Sequence, residues 1–338
     1  MSFKRLDSED FVVSSDSITS TLWSTNSPAL TAFYSSSIQE ASSAGNYYLS
    51  VYQTSSTEDT ATVQFDIVYC DLLGSGSELY NNLVPENSPT KTMYGQYRSL
   101  ILEDENASFV FGTGNNVITA SNFWVINIER ARYKESLFPG SLNLTLSGSG
   151  TRKVQLTDNS NVTTVNTFIG ATRVFQLVSG SNGTPDSTNS GYVAGSGSYG
   201  LVFPDLGVIM LNPYAISQSI HVAATRSNDA DTGLNNTRLF SAIEKGKSFS
   251  LNSQETITSD YIFVRARNSE FNYSENPTFI SGSTGEVIYD DFINNPQTYL
   301  TTVGFYNDSN ELLAVAKMSR PLIKDFTKEA LIRVKLDF

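Results

Sequence analysis

The chain carries one histidine, His221, and one cysteine, Cys70. A metal centre built on several histidines is excluded, and a Ser-His-Asp arrangement would rest on this single imidazole. His221 lies in Gln218-Ser219-Ile220-His221-Val222-Ala223-Ala224, and no Gly-X-Ser-X-Gly elbow accompanies it. Gly195-Ser196-Gly197-Ser198 has only glycine and serine about it and reads as loop. Cys70 closes the alternating stretch from Val63 to Tyr69, where a thiol is expected to be buried and inert. A lone thiol forms no internal disulfide, so cross-links do not hold the chain together. The glycine-rich loops also lack the lysine that would hold a nucleotide phosphate.

Carboxylates are the plentiful titratable groups. Glu103-Asp104-Glu105 and Asp290-Asp291 are local clusters. Glycoside hydrolysis needs two carboxylates facing each other across a cleft, whereas neighbours on a strand point to opposite faces. Both clusters therefore read as solvated turn charges. Asp229-Ala230-Asp231-Thr232-Gly233 resembles half of a calcium loop but lacks the closing bidentate Glu. No metal, cofactor or catalytic residue is expected.

Two basic groupings stand out in a chain with 17% charged residues. Glu129-Arg130-Ala131-Arg132-Tyr133-Lys134-Glu135 is the densest mixed-charge run. From Lys317 onward come Lys317, Arg320, Lys324, Lys328, Arg333 and Lys335, against Asp325, Glu329 and Asp337. Arg130, Arg132, Lys134, Arg333 and Lys335 are the candidate interface residues. A planar guanidinium on a rigid mount can grip a neighbour's carboxylate in two places. The alternatives stay open: an intramolecular salt-bridged loop for the first grouping, a solvated strand edge for the second.

The elements that would position these groups alternate apolar and polar residues. Thr62 to Val68, Phe123 to Ile128, Ser141 to Leu146, Arg173 to Val178, Tyr261 to Ala266 and Leu331 to Leu336 read as strands. Tyr199 to Leu211 splits at Pro204-Asp205 and reads as a central hairpin. Residues 299–319 read as a second hairpin, turning at Asn307-Asp308-Ser309-Asn310. Helical periodicity is confined to Pro213 to Ser219, Thr237 to Glu244 (with Asn235-Asn236 as possible caps), Gly95 to Leu100 and Asp290 to Asn294. The fold class is mainly β: antiparallel sandwich-type sheets with a few short helices. Residues 179–198 are rich in glycine and serine. They are either a pair of long surface loops or a boundary between β domains of residues 1–178 and 199–338.

The formal net charge of −12 opposes nucleic-acid binding, which needs clustered cations to displace phosphate counterions. A membrane partner is not expected either, since no apolar run approaches the length of a span. The opening Met1-Ser2-Phe3-Lys4-Arg5-Leu6-Asp7 lacks the apolar region of a signal peptide.

Three stretches carry a resemblance. They are Phe3-Lys4-Arg5-Leu6-Asp7-Ser8-Glu9-Asp10-Phe11-Val12-Val13 running into Leu22-Trp23-Ser24, Phe123 to Glu135 followed by Phe138-Pro139-Gly140-Ser141-Leu142-Asn143-Leu144, and Thr301-Thr302-Val303-Gly304-Phe305-Tyr306-Asn307-Asp308 with Glu311 to Lys317. Together they resemble structural proteins of the baseplate and tail of contractile-tailed cyanophages. The resemblance implies a non-enzymatic virion subunit, preferably a baseplate wedge, assembled in the host cytoplasm. Its partners would be other tail or baseplate proteins and copies of itself, with no active site to carry over. The alternative is a receptor- or glycan-binding module at a tail tip, using some of the 17 tyrosines and two tryptophans as sugar-stacking platforms. A polysaccharide depolymerase is a third reading.

Overall fold

The computed structural model describes residues 5–36, 48–76, 88–163, 167–226, 234–273 and 276–337. The chain forms two compact units, one of residues 18–255 and one combining residues 1–17 with 256–338. Among the described residues, strand outnumbers helix, 44% to 16%, and the architecture is mainly antiparallel β, as the alternation predicts.

The larger unit is organised by one long curled sheet, a half-barrel. Its strands run, side by side, Ala29–Leu30, Phe249–Ser250, Asn143–Ser147, Lys153–Asp158, Thr172–Ser181, Gly200–Phe203, Val208–Leu211, Asn122–Ile128, Val63–Asp71, Leu49–Tyr52 and Tyr34–Ser35. The central strands are buried on both faces, so alternate residues serve two separate cores. On Val63–Asp71, Phe65, Ile67 and Tyr69 enter one core while Val68 and Cys70 enter the other. Asn122–Ile128 divides in the same way, Trp124 and Ile126 against Phe123 and Val125. Helices Pro213–Ile220 and Asn235–Gly246 supply the first core with Ile216, Ile220, Leu239 and Ile243. Helix Pro89–Leu102 and the ribbon Phe109–Thr113/Asn116–Ala120 complete the second with Tyr94, Ile101, Phe109 and Phe111. Edge-on aromatic contacts knit each core: Trp23 to Phe249 at 5.0 Å in the first, Phe109 to Phe123 at 5.0 Å in the second.

The glycine- and serine-rich segment 179–198 is no boundary between units. It lies within the larger unit, and the strands flanking it pair directly, Phe175 with Val202 and Leu177 with Gly200. Its far end is tied down, because Asn212 Nδ2 donates to the carbonyls of Ser196 and Ser198 at 2.7 and 2.8 Å. The division falls instead inside two strands, Phe11–Thr21 and Asn252–Ala266. A break within a continuous alternating run leaves no compositional mark.

Asn235 is not a cap. The helix begins at Asn235 itself, and its side chain accepts from Thr225 N–H at 2.9 Å and donates to the carbonyls of Thr225 and Gly76. Its own carbonyl takes the Trp124 indole N–H at 3.0 Å. Beside this knot Arg226 Nε donates to the fully buried Asp71 carboxylate at 2.6 Å.

Asp66 sits where its strand faces Ser50, whose hydroxyl donates to it at 2.7 Å. Burial, opposed by that hydrogen bond and reinforced by Glu129, raises its carboxyl above the ordinary value. A carboxyl raised on folding favours the folded state in acid, and that contribution is lost as pH rises through the folded value. Asp66→Asn keeps the acceptor and removes the charge. At pH 7 the variant is expected to melt at or above the parent temperature, with the difference closing towards roughly pH 4, the ordinary carboxylate range. Melting curves across that range check it, and a variant clearly less stable at pH 7 contradicts it.

The smaller unit is built differently. Its sheet orders Phe11–Thr21, Asn252–Ala266 and Ala330–Asp337, with Ile262 opposite Val334 and Ala266 opposite Ala330. A separate ribbon pairs Thr298–Tyr306 with Leu312–Lys324 around the expected Asn307–Asn310 turn. Among the described residues, its buried hydrophobics are only Ile262, Ala266, Ala330 and Val334, and neither core cluster draws on this unit. Lys324 is fully buried and bonded to three neutral acceptors, the carbonyls of Asn268 and Asp325 and Asn272 Oδ1.

Candidate functional site

The groups with the richest chemistry stand apart from one another. His221 is exposed and occupies the left-handed position (φ 59°) that ends helix Pro213–Ile220, its backbone N–H donating to the Ser217 carbonyl. Cys70 is fully buried in the second core, and burial, with Asp71 adding to it, pushes its thiol well above the ordinary value. Glu103 ends helix Pro89–Leu102 in a left-handed conformation, and Asp104 accepts from the Asn106 N–H two residues on. Asp290 and Asp291 open the short exposed helix Asp290–Asn294. The calcium-like stretch 229–233 lies outside the described residues. Among the described residues, no cluster of three or more metal-ligating side chains occurs, and no helix is long and apolar enough to cross a membrane.

The candidate interface cations form two groups, one in each unit. Arg130, Arg132 and Lys134 lie on a single turn after strand Asn122–Ile128. The turn is firmly mounted: Glu129 N–H donates to the Gln64 carbonyl, Lys134 N–H to Ser253 Oγ and Glu135 N–H to the Gln254 carbonyl. Arg130 lies 4.5 Å from the Tyr133 ring centroid and donates to the Tyr133 carbonyl at 2.7 Å. Lys134 reaches Glu255 at 3.8 Å, an exposed pair that contributes about 0–1 kcal/mol. Arg132 differs, since its buried Nε has no hydrogen-bond partner among the described residues. In the other unit, Arg333 and Lys335 share a face of Ala330–Asp337, each within 6 Å of the Tyr261 ring centroid, at 5.7 and 5.9 Å. Lys335 also pairs with Asp337 at 2.8 Å. Arg132 aside, these cations already engage their own chain, so the two charge groupings are partly spent.

A stronger feature escapes a reading of charge alone. Most exposed large hydrophobics among the described residues belong to the smaller unit, among them Phe11, Val12, Val13, Tyr299, Leu312, Leu313, Val315 and Leu331. Leu313 and Leu331 are 67% and 68% exposed. The ribbon Thr298–Tyr306/Leu312–Lys324 pairs with no further strand among the described residues. An isolated two-stranded ribbon is marginal in water, and domains of roughly 100 residues ordinarily close a core of their own. Of the C-terminal cations, Lys328 bonds Asp325 at 3.0 Å, while Lys317 and Arg320 have no carboxylate partner among the described residues.

The smaller unit also holds a shallow groove lined by Phe279, Tyr289, Asp291, Phe292, Asn294 and Asn295. Tyr289 and Phe292 pack against Phe279 with ring centroids 5.6 and 5.7 Å away.

No family model, no curated protein and no solved structure matches this chain.

Proposed function

We propose that the chain is a non-enzymatic structural subunit of a phage tail or baseplate, incorporated into the virion and acting through contacts with neighbouring subunits. One observation carries the reading: among the described residues, the smaller unit presents most of its apolar side chains outward and closes almost no core of its own. At about 25 cal/mol per Å² of apolar surface, that area is a large free energy left for a neighbour to collect. The larger unit, by contrast, closes two cores of its own. Low charge density suits the same role, because many copies can approach without repulsion. Mass spectrometry and immunogold labelling of contractile-tailed particles carrying this chain test the proposal. Label at the baseplate end of intact particles is expected. Chain found only in the soluble lysate would overturn the reading.

A second reading has its own observation, the groove around Tyr289. Aromatic faces flanked by a carboxylate and two amides are the chemistry that recognises sugars. A receptor- or glycan-binding role predicts retention on a glycan array that is lost in Tyr289→Ala. Equal signals for parent and variant remove that role.

A further inference from the structure

The ribbon's two open edges are not equivalent. Thr298–Tyr306 carries no charged residue, and its outer edge specifies no register. The stretch 308–320, leading into and along Leu312–Lys324, is patterned: Asp308 and Glu311 at the turn, Leu313 and Val315 in the middle, Lys317 and Arg320 beyond. Leu313 and Val315 are 67% and 57% exposed. The Glu311 carboxylate accepts from Asn307 Nδ2 at 2.7 Å and keeps further acceptor capacity.

We infer that this edge pairs with the same edge of a second copy, antiparallel and two-fold symmetric about Ala314. The inference rests on the assembly reading above and names one of the neighbours. With Ala314 opposite itself, Glu311 meets Lys317 and Leu313 meets Val315. Each contact occurs twice, as a two-fold interface requires. Carboxylates at one end and cations at the other attract only in this orientation. Parallel pairing would set Glu311 against Glu311 and Lys317 against Lys317. Charges on an edge strand usually block pairing; here their order opposes the parallel orientation and favours the antiparallel one. Pro321 has no N–H for a ladder, and it falls just beyond the paired stretch. The product is a continuous four-stranded sheet, past the three strands at which a sheet becomes independently stable.

The test uses the full-length chain with single cysteines, cross-linked by oxidation or by a short bis-maleimide. Cys70 is fully buried and does not compete. Ala314→Cys is expected to link to itself, and a mixture of the Glu311→Cys and Lys317→Cys chains is expected to give the heterodimer. Lys317→Cys alone should remain unlinked. By sedimentation, Lys317→Glu should weaken the dimer on the order of a hundredfold, and Glu311→Lys/Lys317→Glu should restore it. Circular dichroism confirms that each variant is folded. Self-linking of Lys317→Cys, or an Ala314→Cys chain that stays monomeric, overturns the inference. Labelling of particles is read independently, so a monomeric chain still found in baseplates refutes self-pairing alone.

Discussion

Arg226→Met is expected to destabilise the larger unit by about 3 kcal/mol, the lower end of the range for breaking a buried ion pair. Asp71 has no exposed side-chain surface, and its Oδ2 accepts from Arg226 Nε at 2.6 Å. Its Oδ1 accepts from the N–H groups of Leu73 and Ser75 at 2.9 and 3.3 Å. Removing the guanidinium strands a carboxylate at the end of a core strand, beside the raised phenol of Tyr69 and the buried thiol of Cys70. The exposed third of Arg226 is why the loss stays at the low end of the range. Asp71→Asn added to Arg226→Met keeps an acceptor for the backbone donors and takes away the stranded charge. This double variant should recover more than half of the loss. Denaturant unfolding of parent, single and double variants gives the cycle. A single variant within about 1 kcal/mol of the parent would mean that water already solvates the pair.

Gly246→Ala is expected to cost about 3 kcal/mol, although helix propensity alone predicts a gain of up to about 1 kcal/mol. Gly246 closes helix Asn235–Gly246 where it crosses strand Asn143–Ser147. A Cβ built there would sit 1.8 Å from the Thr145 carbonyl oxygen. The obstacle is backbone within a sheet, so the helix must lift by more than an ångström. Lifting it opens space beneath Leu239, Phe240 and Ile243, each packed in the first core. Packing therefore outweighs propensity. Thermal melting decides between them, and a variant that gains stability shows that the helix rides higher than described.

Most of the fold was legible because its strands are long and their alternation regular. The hairpins at Gly200–Phe203/Val208–Leu211 and Thr298–Tyr306/Leu312–Lys324 follow from a turn signal between two apolar runs. Helix Pro89–Leu102 was longer than its Gly95 to Leu100 kernel, because Thr90, Thr92 and Gly95 weaken the periodicity at its start. Asn235 looked like a cap and became a bridge between distant loops, since a side chain's partner across the fold is invisible in a local pattern. The division of the chain was illegible for a similar reason. Glu255 and Thr256 are consecutive residues of one strand, yet they belong to different units. The candidate surface was half legible. Arg130, Arg132, Lys134, Arg333 and Lys335 were found by charge, and the structure shows most of them spent on their own chain. Leu313, Val315 and Leu331 read as ordinary strand residues, and only the missing core beneath them marks them out.

Hydrogen exchange of the full-length chain, free and within purified tailed particles, measures directly whether neighbours complete the smaller unit. In the free chain, held dilute enough to be monomeric, residues 11–17 and 298–324 are expected to exchange far faster than the core strands Val63–Asp71 and Asn122–Ile128. Assembly should slow those two segments about a hundredfold or more, as burial against a partner removes their open state. The core strands should change little. Equal exchange of residues 11–17 and 298–324 in free and assembled protein would show that the outward apolar surface meets no neighbour, contradicting the account.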